Sequence, residues 1–158
     1  MQFILLLVLA IGAPFLAVRS TPAPLNTRAA GIVTLAEMKT WVDAQDPTKI
    51  TLLGDPFAAR RNPLHQRDTA DMVTVTFCSN SSDTPAAACS PPCTTITAGT
   101  ACINAPGTTC LFATGQVSFC DETFCSGSCH VFDTCGTALQ NGFCATPGTA
   151  SIGIGLNA

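Results

Sequence analysis

The sequence predicts an all-β fold, a small disulfide-rich β-sandwich-like domain that contains two degenerate five-cysteine repeats. Three observations carry this expectation. All ten cysteines fall within residues 62–158, a stretch of 97 residues, which is the density of a disulfide scaffold. Short β-branched runs recur in that stretch between turn-forming residues. No helical period runs far beyond residue 70. The same stretch has only nineteen large apolar side chains among Val, Ile, Leu, Met and Phe, a thin core for its length, so crosslinks are expected to carry much of the stability.

Before the cysteine-rich stretch come two segments of other character. Residues 1–20 contain 15 apolar side chains and read as a signal peptide, too short and too early for a spanning helix. The run has no Lys or Arg ahead of it, so the terminal amine supplies its positive charge. Val18 and Ser20 are small enough for the last positions before a cut, which is expected after Ser20. Residues 21–61 have no cysteine and end in the dibasic pair Arg60-Arg61, the kind of site that kexin-like proteases cut, so the segment reads as a propeptide. A second basic site, Arg67, follows. Inside the propeptide, Thr34-Leu35-Ala36-Glu37 has the form of a capping box. Leu35, Met38 and Val42 follow at helical spacing with Trp41 on the same side, predicting an amphipathic helix over residues 35–45 that Asp46-Pro47 stops. Such a helix could cover an apolar patch of the maturing domain or serve only as a spacer.

Within the domain, residues 72–77, 94–97, 110–113, 116–120, 129–132 and 151–156 are the strand candidates. Asn104-Ala105-Pro106-Gly107, Ser126-Gly127-Ser128, Asn141-Gly142 and Pro147-Gly148 are expected to supply turns between them. The strands alternate with Thr, which predicts threonine-rich faces exposed to solvent and bridges inside. The cysteines are Cys78, Cys89, Cys93, Cys102, Cys110, Cys120, Cys125, Cys129, Cys135 and Cys144. Two sets of five are visible. Phe77-Cys78 with Cys89-Ser90-Pro91-Pro92-Cys93 parallels Phe119-Cys120 with Cys125-Ser126-Gly127-Ser128-Cys129, and Val75-Thr76-Phe77-Cys78 matches Val117-Ser118-Phe119-Cys120. The repeats span about residues 72–110 and 115–158. Five is odd, so full oxidation requires at least one bridge between the copies; the pairing itself stays open.

Charge and composition exclude several functions. From residue 62 onward Arg67 stands against Asp68, Asp71, Asp83, Asp121, Glu122 and Asp133. A chain without a basic patch cannot neutralise phosphates, so neither nucleic-acid binding nor attraction to anionic lipid is expected, and a cationic antimicrobial role is disfavoured. No membrane insertion and a monomeric state are expected. Zinc ligands usually come in close pairs such as C-x2-C; none is present, and Cys125, Cys129, Cys135 and His130 are better read as cystine neighbours in an oxidising compartment. No metal or other cofactor is expected. Asn80-Ser81-Ser82 is a glycosylation sequon in a stretch that reads as a surface loop.

Catalytic residues are not apparent. His130 and Asp133 could in principle serve a serine hydrolase, but no Gly-x-Ser-x-Gly elbow accompanies them, and on a strand they would face opposite ways. Asp121 and Glu122 are adjacent and diverge on a strand, which suits a turn better than a paired-carboxylate site. The phenylalanines at 77, 112, 119, 124, 132 and 143 are expected in the core. The chain therefore reads as a non-enzyme, with a small hydrolase or inhibitor as a remote alternative.

Two resemblances add to this reading. Asp121-Glu122-Thr123-Phe124-Cys125-Ser126-Gly127, followed by Ala150-Ser151-Ile152-Gly153-Ile154, resembles a Greek-key unit of βγ-crystallin-like proteins, in which an acidic turn precedes aromatic-x-Gly and a Ser-Ile strand follows. Cys125 stands where the aromatic would be and also takes a Ser/Thr position of that family's calcium pattern, so the resemblance does not imply calcium binding. The whole layout of signal peptide, dibasic-terminated propeptide and short all-cystine domain resembles fungal small secreted cysteine-rich proteins, many of them regarded as effectors. It implies a secreted protein that acts outside the cell on a host or competing organism, its partner an unidentified extracellular protein or polysaccharide. The alternative is a structural protein of the cell wall, with a threonine-rich face against polysaccharide. Hydrophobin-like assembly is disfavoured, because that family's adjacent cysteine pairs are missing.

Overall fold

The computed structural model describes residues 29–58, 72–82 and 87–156. The expected signal peptide with its cut after Ser20, and the processing sites Arg60, Arg61 and Arg67, lie outside the described residues. The chain runs through α1 (Leu35–Asp43), β1 (Ile50–Leu53), β2 (Val73–Ser82), β3 (Ala88–Ala98), β4 (Ala101–Ala113), β5 (Val117–Cys120), β6 (Cys129–Val131) and β7 (Cys144–Ile154). The strands form one seven-stranded sheet in the order β1-β3-β2-β4-β7-β5-β6. All pairings between these strands are antiparallel except the edge pair β1–β3. The fold is all-β and disulfide-rich, as the sequence predicts.

The sheet has an apolar layer on each side. Val75, Leu111, Ala113, Val117, Phe132, Ile152 and Ile154 form one core, which draws on the four adjacent strands β2, β4, β7 and β5. The neighbouring residues in β2 and β4 point the other way, as the period of a strand requires. There Cys78, Cys93, Cys110 and Phe112 join Phe143, Val33, Met38 and Cys89 in a second core, with Trp41, Ile50, Phe57 and Leu139 packed around it. The cysteine-free segment thus supplies much of the cover for the second face.

α1 forms where expected. Thr34 Oγ1 accepts from Glu37 N at 3.1 Å and Thr34 N donates to Glu37 Oε2 at 2.6 Å, closing the capping box. Met38 and Val42 are buried, and the Trp41 ring stands edge-on to Phe112 and Phe143, with centroids 5.6 and 4.8 Å away. Leu35, expected on this apolar side, is 36% exposed. The helix ends at Asp43, two residues earlier than predicted. Thr48 donates its backbone N–H and its hydroxyl to Asp46 Oδ1 at 2.9 and 2.7 Å, which holds the Asp46 carboxyl below its ordinary range and turns the chain into β1. That strand, unmarked by sequence pattern, covers the edge of β3 in parallel register from Ile50 opposite Cys93 to Leu53 opposite Ile96. Just before the helix, Ile32 bridges to Ala113; Ala113 N donates to Gly31 O at 2.7 Å and Val33 N to Ala113 O at 2.9 Å.

Two expected turns are interruptions within strands. Ala105-Pro106-Gly107-Thr108 lies inside β4 and Thr146-Pro147-Gly148-Thr149 inside β7. Each has a glycine at positive φ, +77° and +84°, the conformation that favours glycine. In each the threonine hydroxyl donates to the carbonyl three residues back, at 2.8 Å in both. They meet where Thr108 faces Thr149, and the β4–β7 register shifts on either side of that pair. Around it the ladder has an internal two-fold: Asn104 opposite Ser151 mirrors Cys110 opposite Ala145, and Ile103 opposite Ile152 mirrors Leu111 opposite Cys144. The pairing of β2 with the end of β4 (Val75 opposite Ala113) corresponds to that of β5 with the end of β7 (Val117 opposite Ile154).

The disulfides follow the same plan in part. Cys78–Cys93 and Cys120–Cys129 each tie the Phe-Cys strand to the second cysteine of Cys-Ser-x-x-Cys, with Cα atoms 4.1 Å apart in both. The first cysteine of each motif reaches β4, as Cys89–Cys110 and Cys102–Cys125. Cys102–Cys125 is the bridge between the two sets of five. Cys135–Cys144 completes the pairing. Loops of this size give about 3 kcal/mol per bridge in the chain-entropy account.

The expected exposed threonine faces are not found on β2 and β3: Thr74, Thr76 and Thr95 are buried. Their hydroxyls are paired, Thr76 with Thr95 at 2.8 Å and Thr74 with Thr97 at 2.7 Å, and Thr97 Oγ1 donates to Pro56 O at 3.2 Å. Hydroxyls satisfied in this way can be buried without the penalty of an unpaired polar group.

If α1 is part of the second core, Met38→Ala lowers the unfolding free energy by about 2–5 kcal/mol, whereas Leu35→Ala on the same helix changes it by at most about 0.5 kcal/mol. Urea denaturation under non-reducing conditions separates the two; equal effects would contradict the packing described.

Candidate interaction surface

The turn between β5 and β6 has the most unusual local geometry among the described residues. Phe124 and Cys125 both have positive φ, +60° and +54°. For a bulky residue this conformation is an outlier that costs roughly 1–2 kcal/mol. Phe124 is also 77% exposed, the most exposed large hydrophobic residue of the described chain. Neither its backbone nor its side chain gains from this position in the usual way.

The surroundings impose the conformation. Phe124 N donates to Asn104 Oδ1 at 3.0 Å, from β4. Cys125 N donates to Ser151 Oγ at 2.9 Å, and Ser151 Oγ donates in turn to the Glu122 carbonyl, so β7 grips both sides of the turn. The Cys102–Cys125 disulfide fixes it covalently to β4. Inside the turn, Asp121 Oδ1 accepts from Ser128 N at 2.7 Å, and Ser126 Oγ is placed to donate to Thr123 O and Glu122 Oε2 at 2.7 and 3.2 Å. Gly127 has φ +77°, and a Cβ there would lie 2.2 Å from Asp121 Oδ1. The result is a stiff loop that carries one aromatic ring into solvent.

Asp121 and Ser128, at the two ends of this turn, also line a shallow cleft of about 380 Å³ with Phe119, His130 and Thr146. Thr146 Oγ1 is buried without a hydrogen-bond partner. The His130 ring is exposed and lies 5.9 Å from the Phe119 ring centroid.

Asp133 lines a different cleft, with Gln116, Val131 and Leu156, so His130 and Asp133 are not brought together. Asp121 and Glu122 serve the turn. Phe112, Phe132 and Phe143 are buried, and Phe77 and Phe119 pack against the first core; Phe124 is the exception to the expected core set. Asn80 lies on β2 rather than in a loop, is exposed, and donates from Nδ2 to Pro91 O at 2.9 Å. The sulfurs of Cys78, Cys89 and Cys110 lie within 4.8 Å of one another, but all three are spent in the stacked bridges Cys78–Cys93 and Cys89–Cys110 and are not free thiolates. Sequence reasoning missed Phe124 because its partners Asn104 and Ser151 are remote in sequence; its one local signal was its place in an acidic, Ser- and Gly-rich turn.

Comparison with protein-family models, with curated proteins and with solved structures found no match to this chain.

Removing the grip of β7 is expected to cost stability, and removing the exposed ring is not. Ser151→Ala leaves a turn amide without its acceptor and costs about 1–3 kcal/mol. Phe124→Gly relieves the positive φ at the expense of chain entropy and leaves stability unchanged or raised by up to about 1 kcal/mol. Thermal unfolding of both variants checks this; a large loss in Phe124→Gly would mean that the ring packs on the fold.

Proposed function

We propose that this chain is a secreted, non-enzymatic, disulfide-stabilised protein that acts outside the cell on a host or competing organism, in the manner of an effector. The observation that carries the proposal is Phe124, an aromatic ring held 77% exposed on a disulfide-anchored turn in a conformation that costs stability. Strain retained at one exposed residue points to use of that residue, and a rigid aromatic is the side chain best suited to anchor a protein contact. The five bridges suit an oxidising, extracellular setting, and no helix among the described residues is long and apolar enough to cross a membrane. The separation of His130 from Asp133 favours binding over hydrolysis. In this reading the signal peptide leaves after Ser20, the chain is cut after Arg60-Arg61, and exposed Asn80 is open to glycosylation.

A second reading, association with cell-wall polysaccharide, draws on the cleft lined by Phe119, Asp121, Ser128, His130 and Thr146, with its unpartnered buried hydroxyl. It does not draw on Thr74, Thr76, Thr95 and Thr97, whose hydroxyls pair with each other.

Application of the secreted protein to host tissue or to competing cells, beside its Phe124→Ala variant, tests the first reading. The expected result is a response that falls at least tenfold in the variant, at equal stability, consistent with the loss of an anchor residue. Equal responses, or none from either protein, would count against it. Retention on chitin or glucan that does not depend on Phe124 would favour the second reading.

A further inference from the structure

We propose that residues 29–58 remain bound after processing, so that the working form of this protein is a non-covalent complex of two chains made from one. The inference rests on the reading that the chain is cut between residues 58 and 72, where Arg60-Arg61 and Arg67 lie.

A cut there breaks none of the contacts that hold the segment, because each joins a residue of 29–58 to a residue beyond position 72 and none involves the residues between. At one end, Gly31 and Val33 exchange backbone hydrogen bonds with Ala113, and Gly31 N donates to Gly142 O at 3.0 Å. In the middle, Met38 is fully buried and Trp41 packs on Phe112 and Phe143. At the other end, β1 pairs with β3 over four residues, Pro56 is buried and accepts from Thr97, and Phe57 packs at the second core. No disulfide links the segment to the domain.

Release would have three consequences at once. The Phe112 and Phe143 rings, now fully buried, would meet water. β3 would become an open sheet edge at Cys93–Ile96, which invites pairing with other chains. Ala113 N–H and C=O would lose their partners. A removable cover would leave a surface able to stand alone; this surface is a core interior and a ladder edge. The matching occupant is an extended–helix–strand segment with an aromatic in the last turn of the helix, and the chain already carries it.

The test uses the full chain with residues 60–67 replaced by a site for a specific protease, which makes the cut independent of natural processing. After cutting under non-reducing conditions, the protein is diluted to micromolar concentration and separated by size exclusion and native mass spectrometry. The segment with Trp41 is expected to co-elute with the 72–158 domain at one-to-one ratio, and to separate in denaturant with all five disulfides intact. A segment that elutes apart overturns the proposal, whether the domain stays soluble or aggregates. A Trp41→Ala/Met38→Ala variant, confirmed by intact mass to be fully oxidised before the cut, is expected to lose the segment at least tenfold faster; unchanged retention would overturn the assignment of the contact. Failure of natural processing at Arg60-Arg61, seen as an uncut secreted chain, would refute the processing reading and leave the result from the engineered site standing.

Discussion

The structure depends on one constraint: a single sheet whose central strands are buried on both sides needs two covers. In β2 and β4, alternate residues normally divide into an inner and an outer set. Here Val75, Leu111 and Ala113 enter one core while Cys78, Cys110 and Phe112 enter another. The first core is enclosed mainly by the sheet's own residues, from β2 through β4 and β7 to β5, with Phe132 and Ile32 beside them. The second is closed by α1, by Val33 before it and by Ile50 and Phe57 after it, a part of the chain without a cysteine. A domain with so few large side chains gains the burial it needs from this borrowed layer, and the bridges Cys78–Cys93 and Cys89–Cys110 are buried within it.

The β4–β7 ladder sets the remaining geometry. Its two Pro-Gly-Thr interruptions stand across from one another at Thr108 and Thr149, and the two cysteine sets are arranged about that point. The symmetry is broken where the candidate surface lies. Ser151 occupies the place in the β5–β7 pairing that Cys110 holds in β2–β4. Cys110 is bonded to Cys89, the first cysteine of its motif, whereas Ser151 holds the corresponding Cys125 by a hydrogen bond, and Cys125 takes Cys102 instead. This exchange draws the 121–128 turn over β4 and β7 and leaves Phe124 pointing out.

Much of this was legible in the sequence where the signal is local. The capping box at Thr34 and Glu37, the Met38–Val42 spacing and the cores of most strands follow from neighbouring residues alone. The matched Phe-Cys and Cys-Ser-x-x-Cys motifs marked the two-part plan. What was not legible depends on distant partners. Pro106-Gly107 and Pro147-Gly148 read as turns because nothing nearby says that the chain continues straight on beside another strand. Thr76 and Thr95 read as exposed because each hydroxyl's partner lies on a different strand. β1 was missed because Ile50–Leu53 is short and gains its regularity from the edge of β3. Two of the cystine pairs, Cys78–Cys93 and Cys120–Cys129, join residues opposed in the strand register, and the other three depend on how strands and turns stack, none of which a spacing of cysteines encodes.

The central claim is that the cysteine-free segment is a structural layer of the fold. The most direct measurement is oxidative folding of residues 62–158 alone, and with residues 29–58 added as a separate peptide, followed by disulfide mapping and thermal unfolding. The account predicts scrambled or aggregated material from the domain alone, and recovery of the five pairs, including Cys89–Cys110 beneath the helix, when the peptide is present during oxidation. A domain that reaches the same five pairs and the same unfolding midpoint without the peptide would contradict it.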